Sequence, residues 1–327
     1  MRDLDEVSIL LPLYGESSYL DFAIDSIVTQ NFPSKWELII VHRNSTETIK
    51  RIKGKYSNFE KHFVYLETKQ GLTGALNEGL GIAKYGLIAR MDSDDLMLEN
   101  RIITQVSAFM NDKSLVALGG QCILIDELGS RIGSISYPTG KRFVIWSVNL
   151  GSYIPHPGSM IRREAIITVG GYLSGFEYAE DYNLWLRLKT IGKLDNLKSN
   201  VIAYRKHASQ ITEVFSEESR RATVALIAIQ NSESRFKITD FTSSIQIEKS
   251  IPVRFDQFDK IYKFMAEKNY KKVFLLSFSS KYLSKFLIKK SILHIYFIMI
   301  GIRKKFGSSP NKKNLYAPTN TSEKSRK

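Results

Sequence analysis

The sequence contains a single cysteine, Cys122, among its 327 residues. One cysteine excludes an internal disulfide framework and fits a reducing compartment. The first seven residues also lack the apolar stretch of a secretory signal peptide, which predicts that the protein stays in the cytoplasm. With 43% hydrophobic residues, the chain can still bury a sizeable core in one large or two modest domains.

No apolar run reaches the roughly 20 residues that are needed to cross a bilayer. The most apolar segment near the end, residues 291–302, is only 12 residues long and contains His294. Basic residues lie on both sides of it, at 289–290 and 303–305. This arrangement predicts an anchor in the plane of an anionic membrane, where each basic residue contributes about 1 kcal/mol. The alternative is a buried C-terminal helix that packs on the main domain.

Acidic residues are scarce in the C-terminal part of the chain. Residues 249–327 hold 4 of the 33 acidic and 19 of the 47 basic side chains, which leaves 29 acidic and 28 basic ones before them. The net charge of +14 therefore belongs to the C-terminal part. Anionic membrane and nucleic acid are the usual partners of such a surface. Because no nucleic-acid-binding module is recognisable, we predict the membrane and no nucleic acid.

Strand and helix patterns alternate through the first half of the chain. Strands are predicted at 7–13, 36–41, 63–66 and 87–91, and helices at 20–28, 48–56 and 73–84. The strands are mostly apolar and do not alternate with polar residues, which is typical of a parallel sheet covered on both faces. After a further apolar segment, 116–125, turn sequences predict that the sheet becomes mixed. A helix is predicted at 180–191 and a short strand at 201–204, and helices dominate from 217 onwards.

Three carboxylates follow the fourth predicted strand, in the sequence Asp92-Ser93-Asp94-Asp95. Placed together in a core, these like charges would repel one another and remain unpaired. At the carboxyl end of a strand in an α/β sheet they lie where ligands bind. Their hard oxygen atoms suit Mn²⁺ or Mg²⁺ with a phosphate-bearing substrate. The alternative is an acidic helix N-terminus, and Asp95 in particular is a candidate cap of the next helix.

Residues near the ends of the other predicted strands suit a nucleotide. Pro12 and Tyr14 end the first strand, where an aromatic face can stack on a base, although they also fit a simple strand end. Gly71 and Gly74 open a helix whose N-terminus suits phosphate, or they form a tight turn. Lys69, just before them, either reaches a phosphate or is solvated.

Several motifs follow one another along the first two-thirds of the chain. They are residues 11–16 (LPLYGE), 71–79 (GLTGALNEG), 90–95 (RMDSDD), 156–160 (HPGSM) with Arg162 and Arg163, 170–172 (GGY), 179–187 (AEDYNLWLR) and 204–207 (YRKH). In this order, the motifs resemble those of the family 2 glycosyltransferases, over about residues 7–207. The resemblance implies an α/β, Rossmann-like GT-A fold, with a mixed, mostly parallel sheet, helices on both faces and a nucleotide-sugar donor.

The resemblance also implies roles for individual residues. Asp92 contacts the ribose or the metal, Asp94 binds a cation that bridges the diphosphate, and His207 is a further metal ligand. Asp181, with Glu180 beside it, is the general base that activates an acceptor hydroxyl. The alternative for Asp181 is a charge that only stabilises a helix N-terminus. Glu16 and His156 complete the predicted substrate-binding residues, and His156 shapes the acceptor loop.

One segment departs from the family pattern. Many members carry Asp-Asp-Gly-Ser-Thr-Asp after the second strand, and the first aspartate often contacts a uridine base. Residues 42–47 here read HRNSTE, so His42 and Arg43 replace two carboxylates. Either other residues hold the base, or the nucleotide differs, or it binds weakly.

We predict an inverting glycosyltransferase that moves a sugar from a nucleotide-diphosphate sugar to a hydroxyl of a saccharide acceptor. The acceptor is expected to be lipid-linked, in O-antigen or capsule biosynthesis. The alternative is a non-catalytic nucleotide-sugar-binding scaffold, which the replaced aspartates suggest. A nucleotidyltransferase is a weaker hypothesis, because residues 15–18 do not form a basic phosphate-binding loop.

Three regions are predicted along the chain. Residues 1–215 form the nucleotide-sugar-binding and catalytic domain, residues 216–306 form a helical, basic extension that associates with a membrane, and residues 307–327 form a disordered tail. The protein is expected to be peripheral on the inner face of the cell membrane.

Overall fold

The computed structural model describes residues 6–32, 35–210, 214 and 216–230. The predicted membrane anchor at 291–302, the predicted tail at 307–327 and most of the predicted extension lie outside the described residues. In the part of the chain that is described, no helix combines the length and the apolar composition needed to span a bilayer.

Strands and helices alternate along the first half, as the hydrophobic pattern predicts. The elements are β1 (Val7–Tyr14), α1 (Leu20–Val28), β2 (Trp36–Arg43), α2 (Thr46–Lys55), β3 (Phe63–Glu67), α3 (Leu72–Ile82), β4 (Leu87–Arg90), β5 (Leu96–Met97), α4 (Arg101–Asn111), β6 (Leu115–Ile125), β7 (Arg131–Ile135), α5 (Lys141–Val148), β8 (Met160–Arg162), α6 (Arg163–Thr168), α7 (Glu180–Leu188), β9 (Lys193–Arg205) and α8 (Ser216–Gln230). Two 3₁₀ turns lie at Ser57–His62 and His156–Gly158.

Nine strands of the described chain form one mixed sheet. Eight of them follow the order β3-β2-β1-β4-β8-β6-β9-β5, and β7 pairs with β6 beside this row. Strands β1 to β4 are mutually parallel, as are β6 and β9. Strand β8 is antiparallel to both of its neighbours, β4 and β6. The predicted change from a parallel to a mixed sheet is therefore confirmed.

Helices cover both faces of the sheet because successive side chains of a strand point to opposite faces. On β1, Ile9 packs in a core with Ile24 of α1 and Val106 of α4. The next residue, Leu10, packs in a second core with Leu76 of α3. The fold is thus the predicted α/β arrangement with buried strands between two helical layers.

Helix α8 belongs to this packed unit. Ala222, Val224 and Leu226 are buried in the same core as Leu184 of α7. The first helix of the predicted extension therefore packs against the main domain. The domain boundary after residue 215 stays a prediction.

The strand predicted at 201–204 is too short. Strand β9 runs from Lys193 to Arg205, and its polar first half pairs in parallel with β6 from Leu115 onwards. This pairing extends the strand through a sequence that lacks an apolar pattern. The full length of β9 matters because its end reaches the acidic cluster.

Candidate active site

The three carboxylates after β4 converge at the carboxyl end of the parallel strands. One oxygen atom from each of Asp92, Asp94 and Asp95 lies within 4.8 Å of the other two. Asp92 and Asp94 are partly exposed, whereas Asp95 is fully buried. The sequence expectation that these residues form one cluster at the edge of the sheet agrees with this geometry.

Strand β9 brings His207 to the same cluster. Its Nε2 atom lies 2.8 Å from Asp94 Oδ2. The strand is held there by β5, since Leu96 pairs with Ala203, and by a 2.8 Å hydrogen bond from the Arg205 backbone N–H to Asp95 Oδ1. Asp95 therefore anchors β9. Its proposed role as a helix cap is wrong, because α4 begins at Arg101, after Asn100.

These residues fit a hard divalent cation. The second carboxylate oxygen of Asp95, Oδ2, is buried and has no hydrogen-bond partner among the described residues. An unpartnered buried oxygen is costly unless a proton or a cation satisfies it. Carboxylates with an imidazole nitrogen at hand could hold Mn²⁺ or Mg²⁺.

The second acidic group, Glu180 and Asp181, opens helix α7. Asp181 Oδ2 accepts a 2.9 Å hydrogen bond from the Ser152 hydroxyl, and its Oδ1 accepts a 2.6 Å bond from the backbone N–H of Tyr182. Burial raises the pKa of Asp181, while these two hydrogen bonds favour its ionised form and act in the opposite direction. The carboxylate is thus held by donors at both oxygens.

Glu180 is buried, whereas Asp181 is partly exposed. Burial and the charge of Asp181 raise the pKa of Glu180 to about 7. His156 Nδ1 lies 3.8 Å from Glu180 Oε1, and His156 Nε2 lies 3.0 Å from the Tyr172 hydroxyl. Burial holds the pKa of His156 well below its usual value, so the ring is neutral near pH 7. At this distance His156 packs beside Glu180. The predicted contact of His156 with substrate stays a prediction.

Arg90, the last residue of β4, connects the two acidic groups. Its guanidinium forms an ion pair with Asp92. Its positive charge also lowers the pKa values of Glu180 and Asp181, against the larger effect of burial. A single buried cation therefore acts on carboxylates from two separate segments.

The predicted donor-binding residues lie at or just after the carboxyl ends of β1 and β3. Pro12 is partly buried in β1, Tyr14 is 70% exposed, and the Arg43 guanidinium lies 5.4 Å from the centre of the Tyr14 ring. Glu16 accepts a hydrogen bond from the Thr48 hydroxyl. Lys69 is exposed in the loop between β3 and α3. Their location at this edge fits a donor, but their individual roles stay predictions.

The segment that differs from the family pattern, residues 42–47, includes the end of β2 and the start of α2. His42 is buried, its Nδ1 has no hydrogen-bond partner among the described residues, and burial lowers its pKa. Asn44 adopts a left-handed conformation with φ of 54°. The Ser45 hydroxyl then donates to the carbonyl oxygens of Gly15 and Arg43, at 2.7 and 2.9 Å. The loops after β1 and β2 are joined without the acidic residues that many family members carry here.

Two residues that support the site were not predicted. Ser152 lies in an irregular loop, where no periodic pattern marks it. Arg101 is fully buried and donates to the backbone oxygens of Arg90, Pro157 and Ser159. It lies on the apolar face of α4, which it shares with Ile102 and Phe109. An arginine at such a position is a signal that sequence reasoning could have used.

Comparison with known proteins agrees with this architecture. The family model described as glycosyl transferase family 2 matches residues 8–170. The O-antigen biosynthesis glycosyltransferase WbnJ of Escherichia coli is 33% identical over 214 residues, which cover 63% of this chain and 82% of that protein. The amylovoran biosynthesis glycosyltransferase AmsE of Erwinia amylovora is 28% identical over 189 residues, 57% of this chain and 70% of that protein.

Solved structures show the same fold at low identity. Residues 1–349 of S. aureus TarS, in complex with UDP-GlcNAc, superpose with a TM-score of 0.55 and 17% identity, over 79% of this chain and 75% of that one. The mannosyltransferase PcManGT of Pyrobaculum calidifontis, in complex with GDP-Man and Mn²⁺, gives a TM-score of 0.51 and 15% identity, over 89% and 87%. Fold, motif order and sequence similarity agree, and the chain belongs to the family 2 glycosyltransferases.

Proposed function

We propose that this glycosyltransferase moves a sugar from a nucleoside-diphosphate sugar to a saccharide hydroxyl with inversion at the anomeric carbon. The observation that supports this best is the arrangement of two acidic groups around Arg90. One group, with Asp92 and Asp94, suits the diphosphate side of the donor, and the other offers Asp181 as a base. Inversion in one displacement needs a single base for the attacking hydroxyl.

Asp181 takes the proton of the acceptor hydroxyl as its oxygen attacks the anomeric carbon. A base works best when its pKa is near the operating pH, and burial moves the pKa of Asp181 upwards in that direction. The Ser152 hydroxyl fixes the orientation of the carboxylate. Glu180, the preceding residue, completes the acidic pair in the first turn of α7.

Asp92, Asp94 and His207 would hold a divalent cation, Mn²⁺ or Mg²⁺. When bound, such a cation stabilises negative charge on a leaving diphosphate. Strands β4, β5 and β9 bring these side chains together. The buried Asp95 Oδ2 beside them has no hydrogen-bond partner among the described residues. PcManGT is solved in complex with Mn²⁺, which agrees with this choice of ion.

The nucleotide is proposed to bind across the ends of β1 and β3, at Pro12, Tyr14, Glu16 and Lys69. TarS and PcManGT are solved in complex with UDP-GlcNAc and GDP-Man, so nucleotide sugars of either base suit this fold. His42 is neutral where many family members carry an aspartate. The base is therefore contacted differently from the uridine of those members.

The acceptor is proposed to be a lipid-linked saccharide in surface polysaccharide biosynthesis. Two relatives are named for O-antigen and amylovoran biosynthesis. The basic residues after 248 support a location in the cytoplasm, peripheral on the inner face of the cell membrane. Deletion of residues 291–327 should release the chain from vesicles that contain phosphatidylglycerol, and unchanged co-sedimentation would reject this membrane assignment.

The test of catalysis is a panel of nucleotide sugars with Mn²⁺ or Mg²⁺. Asp181→Asn should lower turnover by about 10²–10⁴-fold while it retains nucleotide binding. Glu164→Gln, an exposed acid at the start of α6, is the matched control and should keep full activity. Activity should disappear with EDTA and return with Mn²⁺.

The scaffold alternative makes the opposite prediction. A non-catalytic protein would bind a nucleotide sugar and would turn over none of the panel, with or without acceptor saccharides. That outcome, or an Asp181→Asn variant with normal turnover, would overturn the proposed function.

A further inference from the structure

Arg90 is a buried arginine whose backbone is fixed on both sides. The residue is 3% exposed. Its backbone N–H donates to the carbonyl of Ser159 at 2.9 Å, and its own carbonyl accepts a 2.8 Å bond from Arg101 Nη2. The guanidinium therefore starts from a rigid point at the end of β4. A buried charge of this kind must be paired to be tolerated.

The pairing of Arg90 is incomplete. Its ion-pair partner is Asp92, whose side chain is 30% exposed and faces the acidic cluster. The Arg90 Nε atom is buried and has no hydrogen-bond partner among the described residues. A guanidinium has five N–H donors, so this one is under-satisfied with Asp92 as its one ion-pair partner among the residues that the structure describes.

Several titratable groups surround this guanidinium. Those on which its charge acts are Asp92 and Asp95 after β4, His156 in the 3₁₀ turn, Tyr172 before α7, and Glu180 and Asp181 on α7. Arg101 lies nearby and is bound to backbone carbonyls. Four carboxyl groups, those of Asp92, Asp95, Glu180 and Asp181, thus share the field of one arginine.

We propose that Arg90 is a positioning residue that holds the Asp92 carboxylate in the absence of metal and competes with the divalent cation for it. The proposal rests on the proposed function in one respect, namely that Asp92 binds the cation. The Arg90 guanidinium and the divalent cation cannot both pair closely with the Asp92 carboxylate. Arg90 therefore keeps the acidic cluster ordered before the donor arrives, and it weakens binding of the cation alone.

The proposal predicts a change that a merely structural arginine would not produce. Removal of the charge in Arg90→Met frees Asp92 and removes repulsion of the cation, so Mn²⁺ should bind about tenfold more tightly in the absence of nucleotide. Loss of a purely structural residue would instead weaken binding. Arg90→Lys keeps the charge and should bind Mn²⁺ within about twofold of the parent chain.

Mn²⁺ binding to the full chain is measured at pH 8 from the electron paramagnetic resonance signal of the free ion. Arg187→Met is the matched control, because Arg187 is also buried and bonds to Asn183 and the Val169 carbonyl. Its Mn²⁺ affinity should not rise. The proposal is overturned if Arg90→Met binds no more tightly than the parent chain, or if Arg187→Met tightens binding equally.

A second measurement does not depend on the fold of Arg90→Met. In the wild-type chain, the ¹⁵N signal of Arg90 Nε, assigned by its absence from Arg90→Lys, should shift when Mg²⁺ is added. An unmoved signal at saturating Mg²⁺ would overturn the competition. If the wild-type chain binds neither ion, the cation in the proposed function fails together with this inference; if only the Arg90 effects are absent, the proposed function stands.

Discussion

The Ser152 hydroxyl donates a 2.9 Å hydrogen bond to Asp181 Oδ2. This bond joins the irregular loop after α5 to the first turn of α7. It favours the ionised carboxylate and so lowers the pKa of Asp181, whereas burial, the larger effect, raises it. Ser152 therefore sets both the orientation of the proposed base and the pH at which it works.

Replacement of Ser152 by alanine should move the pH dependence of the reaction. Without the hydroxyl, the pKa of Asp181 rises, and the acidic limb of the kcat/KM profile should shift upwards by about 0.5–1 pH unit, as expected for one hydrogen bond. Rates should fall about three- to tenfold on the acidic limb of the profile and recover above the shifted pKa. Steady-state kinetics between pH 5 and 9 measure the profile.

Ser152→Thr keeps the hydroxyl and is the control. It should retain the parent profile. A Ser152→Ala profile that overlays the parent at every pH, or one that loses rate equally at all pH values, would contradict the assigned role.

Glu180 should make the stability of the protein depend on pH. Its pKa rises from 4.5 to about 7 in the folded chain, so folding favours the protonated form. The contribution of Glu180 to the free energy of unfolding is fully present below the unfolded pKa of this residue, and it is lost as the pH rises through about 7. Relative to the parent, Glu180→Gln should unfold with a free energy higher by up to about 3 kcal/mol at pH 8 and by less than about 1 kcal/mol at pH 5.

Urea denaturation of both chains at pH 5 and pH 8 measures this difference. Glu164→Gln, an exposed substitution, should show the parent's pH dependence. An effect of Glu180→Gln that is equal at both pH values would contradict the argument, because a pH-independent change indicates lost packing instead of altered protonation.

Arg101 should contribute more to stability than an exposed arginine. The residue is 1% exposed, and its guanidinium donates to three backbone carbonyls and to Gln105. Arg101→Met leaves buried acceptors without a donor, which should lower the free energy of unfolding by about 2–5 kcal/mol.

Arg51→Met is the comparison for this prediction. Arg51 bonds both carboxylate oxygens of Asp21, but its side chain is 47% exposed, so its loss should cost less than about 1 kcal/mol. Urea midpoints at pH 7 compare the two variants. Equal effects of the two substitutions would show that the buried contacts of Arg101 add nothing.

The parallel half of the sheet could be predicted from the sequence because its strands are buried on both faces. Val7–Tyr14 and Trp36–Arg43 are mostly apolar and buried along nearly their whole length, which is the signal of a strand covered on both faces. Strand β8 has only three residues, and the first half of β9 is polar. Those strands exist because of their partners, β4 and β6, and not because of their own composition.

The site was predictable to a similar extent. The motifs place Asp94, Asp181 and His207 in a known order along the chain. The role of Asp95 depends on where β9 returns, which no local pattern encodes, and the hydrogen bond of Ser152 depends on the path of an irregular loop. The spacing of motifs along the chain therefore does not predict contacts between residues that are far apart in sequence.

The hydrogen bond between Asp95 and Arg205 has a consequence for synthesis of the chain, because it spans 110 positions. During translation, the acidic triplet is synthesised long before β9, so the complete cluster cannot form until His207 has been added to the chain. A fragment that ends at residue 170, where the family match ends, lacks Asp181, Arg205 and His207. The shortest fragment able to assemble the whole centre must therefore extend beyond residue 207.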